Sequence, residues 1–508
     1  MDLITSLIYK AMSFRLRKIE RYTTESDSIQ MAQLAQVLKR LNNTAYSTKY
    51  SKKSIQSYEE FSKSIPIVEY ENIRTFVEEM LKGERGQLFS EKCQWFATSS
   101  GTSGGRSKYL PVPNSHLRKC HYRGASDTLW LYLDTRPDSQ FFKHKSLVIG
   151  GSHSPSQYGR GTHTGDLSAI LVQNMPLLGQ LYRVPSKSTL LMGEWVSKMQ
   201  KIVEEVHSED VGSLSGVPSW MLETIMAILE KTNKQNLSEV WPNLEVFFHG
   251  GISFEPYRDK YQSIIPSSRM QYRETYNASE GFFGIQNDPS DKSMLLMQDY
   301  GIFYEFIPMS HFDDPERSAI PLCDVQKGVN YAMVISTLGG LYRYVIGDTI
   351  QFTELSPYKF VITGRTASYI NAFGEELMVH NANDAISTVA SDMGLTVLEY
   401  TAGPRFNLDK ANGYHEWVIE FEKAPSDPTF FMDQLDKELR KVNSDYDAKR
   451  YADMALLMPK LVIAKKDLFR EWLIKEGKLG GQHKIPRLKN DATLLDQLIE
   501  LGSVPKSV

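Results

Sequence analysis

The chain is short of cysteine, of net charge and of long apolar runs, and each shortage removes a class of protein. Three cysteines, Cys93, Cys120 and Cys323, are spread over 508 residues without a CxxC pair. Neither a disulfide framework nor a zinc ribbon can be assembled from them, so a reducing, cytoplasmic setting is expected. Lys plus Arg (58) nearly cancel Asp plus Glu (61), leaving a formal charge of −3. Without a field of one sign, nucleic acid and membrane surfaces are poor partners. No stretch reaches the roughly 18 consecutive apolar residues of a membrane span. The eleven histidines show neither an HExxH pattern nor a tight cluster, so no metal site of their own is expected. What remains is ordinary globular composition, 41% hydrophobic and 23% charged, which excludes disorder.

The first 22 residues place Lys10, Arg15, Arg17 and Lys18 at helical spacing among short apolar groups. They lack the continuous apolar core of a secretion signal, and a helix docked on the protein's own body is expected over a membrane-surface helix. Residues 1 to 90 read as mostly helical, and residues 92 to 370 as strands alternating with helices, an α/β signature. Candidate strands are 146–151, 243–251, 270–276, 301–308 and 330–337. From about residue 370 the texture changes, with a strand at 416–422, a helix at 430–443 and a Gly-Lys-rich stretch at 475–490. The expected organisation is a large N-terminal α/β domain, 1–367, and a smaller, mobile C-terminal α+β domain, 368–508.

Four segments carry polar chemistry. Residues 96–108, FATSSGTSGGRSK, gather hydroxyls and glycines ahead of a lysine. Glycines let the backbone approach a ligand, N–H and hydroxyl groups donate to phosphate oxygens, and lysine adds a point charge. The segment reads as a phosphate loop or as a plain turn. It is not a Walker A loop, because Arg106 and Ser107 stand where Gly and Lys are required and YLPVP continues as a strand. It also fits GxSxG formally, with Ser103 as a hydrolase nucleophile, although the helix of a nucleophile elbow is missing. Residues 275–281, TYNASEG, and 342–348, YRYVIGD, each set an acid beside small residues. Glu280 suits Mg²⁺ near phosphates, and Asp348 suits two ribose hydroxyls. The fourth segment, GGQHKIPR at 480–487, surrounds Lys484 with a glycine hinge and a proline.

In that order, SSGTSGGRSK, YNASEG, YRYVIGD and QHKIPR closely resemble the Gretchen Hagen family of acyl-acid amido synthetases, in particular its bacterial-type members, within the adenylate-forming superfamily of firefly luciferase. FHGGISFEPY and ITGRTASYINAFGEEL also stand in family order, so the resemblance covers nearly the whole chain. It implies a firefly-luciferase-type fold and a two-step ligation. A carboxylic acid attacks the α-phosphate of ATP, pyrophosphate leaves, and an amine, expected to be that of an amino acid, displaces AMP. It further implies that Ser99, Ser100, Gly101, Thr102, Ser103, Thr275, Tyr276, Ser279, Asp348 and Arg365 bind the nucleotide and that Lys108, Glu280 and Lys484 are catalytic, Glu280 through Mg²⁺. Val217, Trp220, His249, Gly250 and Asn277 are the expected acyl-pocket residues; Trp220 and His249 equally suit a core aromatic and a satisfied strand-end histidine. Phe282 and Phe283 suggest room for an apolar or aryl acid.

One motif departs from the usual family pattern, which has arginine where this chain has Val345. Arg343, two residues earlier on the same face of a strand, is a candidate substitute or a plain ion-pair partner. The alternatives of function are an acyl-CoA synthetase or other adenylating ligase, a serine hydrolase using Ser103, and a nucleotide-binding module without turnover. The expected state is a monomer or weak homodimer, and neither acid nor amine can be named from sequence.

Overall fold

A computed structural model describes residues 1–99, 108–150, 156–158, 161–193, 195–251, 254, 257–366, 368–370, 372–373, 375, 377–406, 413–450, 456–476 and 485–502. Five helices open the chain, Leu3–Glu20, Ser26–Leu41, Ala45–Tyr50, Tyr58–Ser64 and Tyr70–Leu81. The first starts where Asp2 accepts the N–H groups of Ile4 and Thr5, satisfying donors that have no partner within the helix. It docks on the body of the protein. Arg15, expected on a basic face, is buried and donates to both Asp127 and Asp299.

A twelve-stranded mixed sheet carries the rest of the large domain. Its order is 320–321, 302–308, 330–337, 344–355, 358–365, 294–296, 281–285, 271–278, 246–250, 211–216, 145–148 and 183–184. The last five strands run parallel, and every pairing before them is antiparallel. The two halves meet at the hairpin between Gln271–Ala278 and Gly281–Ile285. This corrects the expected alternation. It holds from 145 to 271, whereas residues 271–365 are strands joined by turns and single 3-10 turns. A second sheet pairs Trp95–Ser99 with Lys108–Pro111 and with Thr162–Gly165.

The C-terminal part is a three-stranded sheet of Val397–Phe406, Gly413–Phe421 and Lys460–Ile463. Side chains alternate across its middle strand. Trp417 and Ile419 pack with the helices Val379–Asp392 and Pro428–Val442. Val418 faces Leu468–Lys475 and Thr493–Gly502 instead, the period-two pattern of a sheet covered on both sides.

Candidate functional site

The polar groups of the sequence motifs collect where the parallel strands end, the edge at which α/β sheets take ligands. Gly250 and Thr275 are opposite each other on adjacent parallel strands. A Cβ at 250 would sit 2.2 Å from the Thr275 carbonyl oxygen, so only glycine lets the strands close here. Thr275 Oγ1 donates to the His249 carbonyl at 3.2 Å.

One residue on, Tyr276 is buried and its hydroxyl donates to Asp348. Burial, reinforced by the Asp348 charge, holds this phenol well above its ordinary pKa, so it remains a donor. Asp348 faces Arg365 across an antiparallel pair, with Nε 3.1 Å from Oδ1. The preceding Gly347 has φ +94°, and its carbonyl accepts the Thr366 N–H at 2.9 Å. That left-handed turn aims Asp348 at Tyr276 and favours glycine. Glu280 lies in the turn of the hairpin. Burial pushes its carboxyl up to about 7; the Asp348 charge adds to the rise, and its own N–H, Lys108 and Arg365 oppose it. Lys108 opens the strand that follows the glycine-rich segment, opposite Ser99 in register, with Nζ 5.9 Å from the Tyr70 ring centre. Two acids and two cations from four separate segments thus act on one another.

On the parallel side, Val217 precedes the helix Pro218–Thr232, and its Cγ2 is 3.5 Å from where a Cβ on Gly251 would stand. His249 is buried and stacks on Phe254 at 4.2 Å. Trp220 packs against the apolar cluster of Ile225, Trp241 and Phe247. Asn277 Oδ1 accepts from His121 Nδ1 at 3.0 Å. Ser279 shares the hairpin turn with Glu280. Ser100, Gly101, Thr102, Ser103 and Lys484 lie outside the described residues, and of Ser99 only the strand position is described. The segment after the glycine-rich stretch is the strand Lys108–Pro111, as expected, and not the helix that a nucleophile elbow needs.

Two expectations are corrected and one open alternative is decided. Arg343 takes the ion-pair role rather than standing in for an arginine at 345. It precedes the strand with φ +48° and turns into the protein. There its guanidinium pairs with both oxygens of Glu305, at 3.0 and 2.9 Å, and donates to the carbonyls of Ser62 and Ile65. Phe282 and Phe283 do not line a pocket. Both are core, Phe282 pressed against Gly124 and Tyr300 and Phe283 against Tyr276. The histidines are not all scattered, because His116, Cys120 and His121 are buried together within ligand distance of one another. These three, with Tyr344 whose hydroxyl feels the Glu280 charge, are the neighbours of the site that motif reading missed. The available signal was His-x₃-Cys-His.

An α/β body whose large sheet switches from parallel to antiparallel pairing, followed by a smaller C-terminal part, has the fold seen in structures of acyl-activating ligases. The GH3.15 acyl acid amido synthetase structure superposes with a TM-score of 0.73 at 17% identity, covering 97% of this chain and 96% of that one. A 2-hydroxyisobutyryl-CoA ligase gives 0.58 at 13% identity over 94% of each. In sequence, the indole-3-acetic acid-amido synthetase GH3.4 of Arabidopsis thaliana is 25% identical over 93% of this chain and 91% of its own length. Models of the GH3 family N-terminal, central and C-terminal domains match residues 15–270, 295–365 and 380–493. The chain belongs to the GH3 family. Among the described residues no helix is long and apolar enough to cross a membrane.

Proposed function

We propose that the protein is an ATP-dependent acyl-acid amido synthetase. The observation that carries this is the gathering of Tyr276, Glu280, Asp348 and Arg365 on the large sheet and its hairpin turn, with Lys108 of the second sheet close enough to act on Glu280. Asp348, held by Tyr276 and Arg365, accepts the two ribose hydroxyls of ATP. Lys108 and the hydroxyls and N–H groups of residues 99–103 face the phosphates. Glu280 fits Mg²⁺, because a carboxyl kept half-neutral by burial and a neighbouring acid is stabilised by a hard cation. The ion supplies charge neutralisation for the phosphates.

The substrate carboxylate is itself the nucleophile, so no protein nucleophile is required. Its oxygen forms a bond to the α-phosphorus as the bond to pyrophosphate breaks. In the second step an amine adds to the acyl carbon, AMP leaves and the amine sheds a proton. The protein's task is to hold cations and donors where charge accumulates on phosphorus. Val217, at the start of the helix Pro218–Thr232, and the strand ends that carry His249, Gly250 and Asn277 flank the acyl position, and Lys484 is delivered from the C-terminal domain, 368–508. The cytoplasm and a monomer or weak dimer complete the proposal.

Pyrophosphate exchange dependent on a carboxylic acid, run over aliphatic, benzoic and indolic acids, tests the first step. A hydrolase and a silent nucleotide binder give no exchange. Discharge of the adenylate by amino acids rather than by CoA separates an amido synthetase from an acyl-CoA synthetase.

A further inference from the structure

Behind the hairpin that carries Asn277 and Glu280, the chain makes a π-helical turn, Leu117–His121, between Asn114–His116 and Tyr122–Asp134. An α-helix would swing residue i+5 about 140° round the axis from residue i, whereas a π turn bonds i to i+5 and returns it to the same side. His116, Cys120 and His121 consequently share one buried face. One ligand atom from each lies within 4.8 Å of the others, and the two rings sit edge to face at 5.1 Å.

The hydrogen bonds fix which ring nitrogens are available. His116 Nε2 donates to the Glu280 carbonyl at 3.2 Å, and His121 Nδ1 donates to Asn277 Oδ1 at 3.0 Å. An imidazole that donates from one nitrogen carries its lone pair on the other. Those other nitrogens, His116 Nδ1 and His121 Nε2, are buried and have no hydrogen-bond partner among the described residues. Cys120 Sγ accepts the Phe282 N–H at 3.1 Å. Metal-binding histidines characteristically donate their distal N–H to a carbonyl or carboxyl group, and here both already do so.

We infer that His116, Cys120 and His121 form a site for a borderline-soft d¹⁰ cation, Zn²⁺, distinct from any nucleotide-linked Mg²⁺. Two imidazoles and a thiolate select such an ion over Mg²⁺, which takes oxygen donors. Bond lengths of ~2.0 Å to nitrogen and ~2.3 Å to sulfur require the three atoms to close by roughly 1 Å. On coordination the Cys120 thiol releases its proton to solvent. The ion would brace the hairpin from behind through the Glu280 carbonyl, the Asn277 amide and the Phe282 N–H.

The test uses the full chain, stripped with chelator, without ATP or acid, so it is independent of the amido synthetase reading. Titration with Co²⁺ should saturate at one equivalent with a thiolate-to-cobalt charge-transfer band that Zn²⁺ displaces. Cys120→Ser should lose the band, and His121→Gln should weaken binding by about 10-fold or more, each with unchanged far-ultraviolet circular dichroism. X-ray absorption at the zinc edge of the wild-type chain should show two nitrogens and one sulfur, which decides the matter if a variant does not fold. No cobalt band, a band that survives in folded Cys120→Ser, or a zinc shell of nitrogen and oxygen alone would overturn the inference.

Discussion

Replacing Arg343 by Met separates a structural arginine from one that serves the nucleotide. The side chain is 6% exposed and its partner Glu305 is 1% exposed. Two bonds to the carboxylate and two to backbone carbonyls would go at once. Tyr58, at 3.2 Å, is then left donating to an unpaired buried charge. Removing one partner of such a pair costs about 3–5 kcal/mol. With an unfolding entropy of ~2.1 cal/mol/K per residue, a large domain melting as one unit loses about 4–6 °C in Tm. The double variant Arg343→Met/Glu305→Gln, in which no charge is stranded, should recover at least half of that loss. Arg343→Lys should not, because an ammonium cannot reproduce the paired geometry. Below the melting range, kcat/KM for ATP in acid-dependent exchange should stay within about 3-fold of the wild type, since no ligand contact is lost. A Tm unchanged within a degree, together with a ~100-fold fall in exchange, would refute the structural role and restore Arg343 to the nucleotide site.

Four further outcomes follow from the site. Glu280→Gln should cut adenylation by about 100-fold or more while raising stability at high pH. The carboxyl titrates at about 7 in the fold against 4.5 when free, so its ionised form costs the fold about 3 kcal/mol above pH ~7, a cost that vanishes as pH falls toward the free value. A variant melting below the wild type at pH ~8 contradicts this. Asp348→Asn should lower kcat/KM for ATP by roughly 10–100-fold and abolish discrimination against 2′-deoxy-ATP, and Tyr276→Phe should do so by about 10-fold or less; discrimination surviving in Asp348→Asn removes the acid from the ribose. Lys484→Ala should cripple adenylate formation yet still discharge a supplied acyl adenylate onto an amine, and equal loss of both half-reactions would show the assignment to the first step to be wrong. Of the three thiols only exposed Cys323 should react quickly with an aromatic disulfide at pH ~8, because burial pushes Cys93 and Cys120 up to about 12; three fast thiols would contradict the packing.

Strands were legible wherever β-branched and aromatic runs ended in Gly, Ser, Thr or Pro, and the order of the four polar segments identified the family. Strand direction was not. Ile302–Pro308 is buried on both faces apart from its last residue, so it reads as the same continuous apolar run that a parallel strand gives. Arg343 could be left only as one of two alternatives, because its two-residue spacing from Val345 suggests a shared strand face, whereas it stands just before the strand with a positive φ of its own. The His116, Cys120 and His121 group stayed hidden for a related reason. On α-helical geometry positions i and i+5 belong to different faces, and only the π turn, which no local pattern announces, brings them together. Tyr276 and Asp348 sit 72 residues apart, and sequence can mark each as polar without revealing that one holds the other.

The charge inventory of the site says what the bound nucleotide must bring with it. Lys108 and Arg365 are largely offset by Asp348 and by a Glu280 carboxyl that burial leaves partly neutral, so among the described residues of this cluster less than one surplus positive charge is left to meet a triphosphate. Position 345, where the usual family pattern has arginine, cannot supply it. Val345 is 5% exposed and packs with Ile307, Ala332, Val334, Tyr369 and Met378, a largely apolar cluster in which burying a guanidinium would be costly. On the proposed function, neutralisation of the phosphates falls in large part to a cation carried in with ATP and to a lysine beyond the cluster, the part proposed for Lys484. If that proposal holds, a pocket largely balanced by its own acids should hold free triphosphate weakly, favour the magnesium complex, and reserve its strongest electrostatic stabilisation for the moment at which charge builds on the α-phosphate.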